Sequence, residues 1–110
     1  PLDAAVVCYG AFIVASPPPE SPMKVAAVAG EAAGLSCPVL GLFGEEDKFP
    51  SPAEVAELDG ILNSLGKEHD FTIYPGAGHA FFNVTRPSYR PEAAMDGWAR
   101  IVAFYGKHLA

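Results

Sequence analysis

Basic residues are scarce in this sequence: seven Lys and Arg stand against thirteen Asp and Glu, for a net charge of −6. With no basic run to meet phosphate groups, the composition argues against nucleic acid and anionic membranes as partners. Cysteine is sparser still. Cys8 and Cys37 both lie in apolar runs, where a reduced thiol behaves as a small hydrophobe, so neither a disulfide framework nor a zinc site is indicated. No run approaches the ~18 consecutive apolar residues of a membrane span, and no basic-then-apolar leader opens the chain. Internal repeats are absent too. The expectation is a cytoplasmic protein that acts on small molecules or other proteins and uses no metal or cofactor. Asn83-Val84-Thr85 matches a glycosylation acceptor in form only.

What is present suits a folded domain. Half of the 110 residues are hydrophobic and 18% are charged, which favours a globular chain over a disordered one. One domain is expected over residues 1–110, burying roughly two-thirds of the surface of its unfolded chain. Asp3 to Gly10 is an unalternated apolar run, suited to a strand buried on both faces. It starts almost at residue 1 with no initiating methionine, as if the fold were entered partway. The stretch from Pro17 to Pro22, with four prolines among its six residues, reads as a surface loop. Met23 to Ala33 predicts a short helix stopped by Gly34.

The second buried strand is Pro38 to Gly44, and the acidic turn Glu45-Glu46-Asp47 follows it. Ser51-Pro52-Ala53-Glu54 then combines a capping serine, a proline at the first helical position and a glutamate at the third. Val55, Leu58, Ile61, Leu62 and Leu65 continue that helix to Gly66. Phe71 to Tyr74 is the third strand. A last helix from Glu92 to Leu109 is expected to carry Ala94, Met95, Trp98, Ile101, Val102, Tyr105 and Leu109 on one face, with Trp98 in the core. This alternation predicts an α/β fold of about three parallel strands flanked by helices.

The chemistry gathers around Tyr74-Pro75-Gly76-Ala77-Gly78-His79-Ala80-Phe81. A strand ends, a Pro-Gly pair breaks it, and one imidazole is presented on the turn at the carboxyl edge of the sheet, where α/β proteins bind ligands. Asp47 follows the neighbouring strand. Parallel pairing brings both turns to one edge, and an acid beside an imidazole is the orienting half of a nucleophile–histidine–acid system. Each residue also has a plainer use, since an aspartate can cap a turn and a histidine can hydrogen-bond within its loop. His69, in a charged turn, is expected to be solvated, and His108 to complement the dipole of a helix end. A nucleophile is missing. An elbow needs glycine two residues to either side of the Ser or Cys, whereas Cys8 has Val6 and Gly10, Cys37 has Leu35 and Val39, and Ser16 and Ser64 lack the frame.

The segment Cys37-Pro38-Val39-Leu40-Gly41-Leu42-Phe43-Gly44-Glu45-Glu46-Asp47, the Gly76-Ala77-Gly78-His79-Ala80-Phe81 turn and Trp98 to Tyr105 together resemble the carboxyl-terminal half of the dienelactone hydrolase family. The likeness extends over essentially the whole chain. It implies the α/β-hydrolase fold, with Asp47 and His79 as the acid and histidine of a Cys-His-Asp triad. It also implies that the cysteine, on a Gly-x-Cys-x-Gly elbow, and most of the oxyanion-hole donors belong to a segment before residue 1. Phe81, Asn83 and Arg86 are the substrate-side candidates. Family members that act on dienelactones place an arginine a short step after the histidine, where this chain has Asn83, with Arg86 three residues on. The resemblance therefore implies an ester or lactone carbonyl as substrate. The chain alone is expected to be inactive; the competing expectation is a non-catalytic domain that self-associates as a homodimer or binds a partner, and a third is a split enzyme completed by a separate amino-terminal half.

Overall fold

The computed structural model describes residues 2–23 and 25–109. Strands β1 (Ala5–Cys8), β2 (Val39–Gly44) and β3 (His69–Tyr74) form one parallel sheet in that order. Helix α1 (Pro52–Ser64) crosses from β2 to β3, and α2 (Pro91–His108) follows β3. Val39 pairs with both Ala5 and His69, and the ladder ends at Gly44 opposite Tyr74. As the central strand, β2 is buried along its whole length, which explains its unbroken apolar sequence. The first strand departs from expectation. It is shorter and only half-buried, because it stands at an edge of the sheet with a neighbour on one side.

Helix α1 begins as its sequence dictates. Ser51 Oγ accepts a hydrogen bond from the Glu54 amide at 3.2 Å, and Glu54 Oε1 accepts one from the Ser51 amide at 3.1 Å, closing a reciprocal capping box. Val55, Leu58 and Leu62 face the core. The helix expected over Met23 to Ala33 does not form; only a 3-10 turn at Ala29–Gly34 is present, and Lys24 lies outside the described residues. The backbone donors are used elsewhere. Both Val28 N and Ala29 N donate to Ile13 O, and Ala27 N donates to Ser16 Oγ, so the preceding loop takes the groups a helix would have paired.

The last helix lies as predicted along the chain but is rotated about its axis. Ala93, Ala94 and Gly97 are buried, Ile101 and Phe104 pack on the same core cluster, and Trp98 is 59% exposed beside Met95 and Val102. Small residues let the helix approach closely. A Cβ on Gly97 would stand 2.5 Å from Phe82 Cζ and 3.4 Å from Leu42 Cδ1, so the sheet selects the glycine face over the tryptophan face. Arg100 Nε and Tyr74 Oη both donate to Asp96 Oδ2, at 2.7 and 2.6 Å, and this ties α2 to the end of β3.

His69 differs from expectation, whereas His108 stands in the last turn of α2 as predicted. The His69 side chain is buried, with Nδ1 2.8 Å from Lys67 O and Nε2 2.7 Å from Asp59 Oδ1. His108 packs against Phe104 and lies 3.6 Å from Glu68 Oε2. Neither is near the carboxyl edge of the strands. No helix among the described residues is long and apolar enough to cross a membrane.

Candidate active site

At the carboxyl edge of the sheet the turns after β2 and β3 are fastened together. Glu45 N donates to Tyr74 O at 3.0 Å and Glu46 N to Ala77 O at 2.9 Å. Gly44 makes this possible: a Cβ there would fall 2.3 Å from Ala77 O, closer than any side chain tolerates. The next residue in line is Asp47. Its Oδ2 lies 2.8 Å from His79 Nδ1, and its Oδ1 accepts from the Phe49 amide at 2.9 Å.

Burial divides the two partners. The Asp47 side chain is 3% exposed and that of His79 43%. A carboxylate only accepts, so in the neutral imidazole this pairing selects the tautomer with the proton on Nδ1 and the lone pair on Nε2. Among the described residues Nε2 has no hydrogen-bond partner, and the ring is part of the lining of an open cleft. Such a pair can take a proton at Nε2 and stabilise the resulting imidazolium through the buried carboxylate.

One aromatic ring packs against the imidazole. Tyr9, one residue beyond β1, meets His79 edge-on at 5.1 Å between ring centroids and Phe81 at 5.3 Å. Burial, followed by the neighbouring Cys8, pushes the Tyr9 hydroxyl above its ordinary value, so it is a neutral donor near pH 7. An open cleft of about 480 Å³ adjoins the pair, lined by Phe12, Met23, Lys48 and Phe49 beside Asp47 and His79. Composition and spacing did not single out Tyr9, Phe12 or Phe49. The position of Tyr9 at the end of a parallel strand was the available signal; Phe12 and Phe49 come from loops with no periodic pattern.

The substrate-side candidates separate on inspection. Phe81 is fully buried between Tyr9, Tyr74 and Phe82, so it supports the histidine turn and offers no face to a ligand. Asn83 is exposed, and its Oδ1 accepts from Thr85 N and Thr85 Oγ1 at 3.0 and 2.7 Å, a local turn. Arg86 is exposed, and its charge is felt at the Tyr9 hydroxyl, which it draws downward. Cys8 lies in β1, and burial raises its thiol above the ordinary value, the wrong direction for a nucleophile.

A parallel sheet with an acid and an imidazole paired at the carboxyl ends of adjacent strands defines the class as part of an α/β-hydrolase fold. More narrowly, residues 1–109 match the model of the dienelactone hydrolase family, and the chain belongs to that family. A provisionally named carboxymethylenebutenolidase of Methylorubrum extorquens is 38% identical over 109 residues, covering 97% of this chain and 35% of that protein. The crystal structure of a provisionally named dienelactone hydrolase from Klebsiella pneumoniae superposes with a TM-score of 0.80 at 34% identity, over 94% of this chain and 41% of that one. Esterase 2 of Thermogutta terrifontis, at 13% identity and a TM-score of 0.66, shares the fold. The chain spans about 35–41% of the length of the first two relatives.

Proposed function

We propose that this chain supplies the acid and the base of a Cys-His-Asp hydrolase that cleaves a small ester or lactone through an acyl-enzyme. The 2.8 Å pairing of a buried Asp47 carboxylate with the Nδ1 of a half-exposed His79 carries the reading. His79 Nε2 takes the thiol proton of a cysteine on the remainder of the family fold, and Asp47 stabilises the imidazolium. The thiolate attacks the carbonyl carbon, the C–O bond breaks, and the leaving oxygen receives the proton from Nε2. Water then releases the acyl group, with His79 again acting as base. Phe12 and Phe49 line the apolar part of the cleft, while Arg86 and Asn83 are exposed and lie outside its lining. The free thiols at Cys8 and Cys37 fit a reducing, cytoplasmic setting.

Residues 1–110 contain no nucleophile elbow, so the chain by itself is inactive. Hydrolysis of a short-chain p-nitrophenyl ester by the 110-residue chain is expected to match its His79→Ala variant and the buffer rate. His79-dependent turnover would overturn inactivity. In the intact protein carrying this chain, His79→Ala is expected to lower kcat by at least ~10³-fold, and an unchanged kcat would overturn the assignment of His79.

A second reading, self-association into a homodimer, is favoured by the open edge of β1 and by the exposed Met95, Trp98 and Val102 on α2.

A further inference from the structure

The turn that carries His79 is held from a side that plays no part in the pairing with Asp47. Ser88 Oγ donates to the His79 carbonyl at 2.6 Å, Arg90 Nε donates to Gly76 O at 3.1 Å, and Arg90 N donates to Phe81 O at 3.1 Å. Arg90 is itself fixed, since one of its terminal nitrogens donates to Pro87 O and Tyr89 O at 3.0 and 2.9 Å. Three carbonyls spanning the turn are thus gripped by one short segment just before α2. The grip has something to hold. Ala80, next to the histidine, has φ +65°, a conformation that a residue with a Cβ keeps only where its surroundings enforce it.

We propose that Ser88 and Arg90 are positioning residues that clamp the His79 turn and so hold Nδ1 against Asp47; the proposal rests on the acid–base role assigned to that pair. The clamp works through the backbone. Anchoring the carbonyls of Gly76, His79 and Phe81 leaves the imidazole with little freedom except rotation about its own side-chain bonds, and the Asp47 contact fixes that rotation. Without the Ser88 bond, the peptide after His79 can turn away from the strained αL setting at Ala80, and Nδ1 moves out of reach of Oδ2. Neither Ser88 nor Arg90 lies among the residues lining the cleft, so loss of the clamp alters geometry and leaves the contact surface for substrate unchanged.

The test uses the intact protein carrying this chain, with ¹⁵N-labelled histidine, and reads the His79 tautomer from its ring-nitrogen shifts. The wild type is expected to be mostly Nδ1–H. In Ser88→Ala the Nδ1–H to Nε2–H ratio should fall about fivefold, the worth of one net hydrogen bond, and Ser88→Thr, which keeps the hydroxyl, should restore it. Arg90→Gln is a second, independent arm and should shift the ratio in the same direction. Thermal unfolding of each variant is recorded alongside, because a merely structural role would lower Tm without moving the tautomer. A wild-type Nδ1–H signature that persists unchanged in both Ser88→Ala and Arg90→Gln overturns the clamp and leaves the pairing intact. Absence of that signature in the wild type overturns the pairing itself and the clamp with it.

Discussion

At the scale of single residues, one carboxylate and one imidazole meet at 2.8 Å because parallel strands deliver the turns that follow them to one edge of the sheet. Asp47 and His79 are thirty-two positions apart, yet both were legible because each follows a buried run and parallel strands share an edge. His69 was misjudged for the complementary reason: its charged neighbours suggested solvent, while strand pairing put its ring under Phe71 and beside Asp59. That burial has a consequence for stability. Burial lowers the His69 pKa, but hydrogen bonds to Lys67 O and Asp59, with the charges of Asp59 and Asp70, outweigh it and leave the group above its ordinary 6.5. A raised folded-state pKa stabilises fully below the unfolded value and is lost as pH rises through the folded one. The denaturant midpoint is therefore expected to fall as pH is raised from about 6 through the raised His69 value, and Asp59→Asn should flatten that fall. An equally steep decline in the variant would show that other groups govern the trend.

At the scale of elements, local chemistry specified α1 and left α2 open to a choice of face. The Ser51 and Glu54 signals are satisfied within four residues of backbone, so the sequence alone suffices to place the start of α1. Ser51→Ala is expected to cost about 1 kcal/mol, measurable as a lowered midpoint in urea. On α2 two apolar stripes lie side by side, and hydrophobicity alone favoured the one bearing Trp98. Steric fit against Phe82 and Leu42 selected the other, and no reading of periodicity contains that information. The rotation has a double test. Gly97→Val is expected to destabilise by about 1–3 kcal/mol through overpacking, whereas Trp98→Ala in this chain should stay within about 0.5 kcal/mol. The reverse order of effects would mean that the tryptophan face is the one packed on the sheet.

For the whole molecule, the order of elements and the parallel sheet were readable, because alternating buried strands and amphipathic helices leave few other topologies. The degree of burial was not. A strand reads as buried from its side chains, but whether it has one neighbour or two depends on what lies beside it, and β1 has one. Among the described residues two demands are left unsatisfied, a row of backbone groups along Ala5–Cys8 and, on α2, an apolar stripe of Met95, Trp98 and Val102 that touches the core where Trp98 meets Phe82 at 5.6 Å between ring centroids. An apolar open edge pairs with whatever complementary edge is present. Alone and concentrated, the 110-residue chain is expected to sediment as a dimer or larger species. A charge on the stripe, Val102→Glu, should shift it toward monomer while leaving the far-ultraviolet spectrum unchanged, since Val102 is 69% exposed. A concentration-independent monomer in the unmodified chain would remove the self-association reading. A dimer unaffected by Val102→Glu would confine the contact to the strand edge, where Val6→Pro, which removes a donor from β1, becomes the variant that must abolish it.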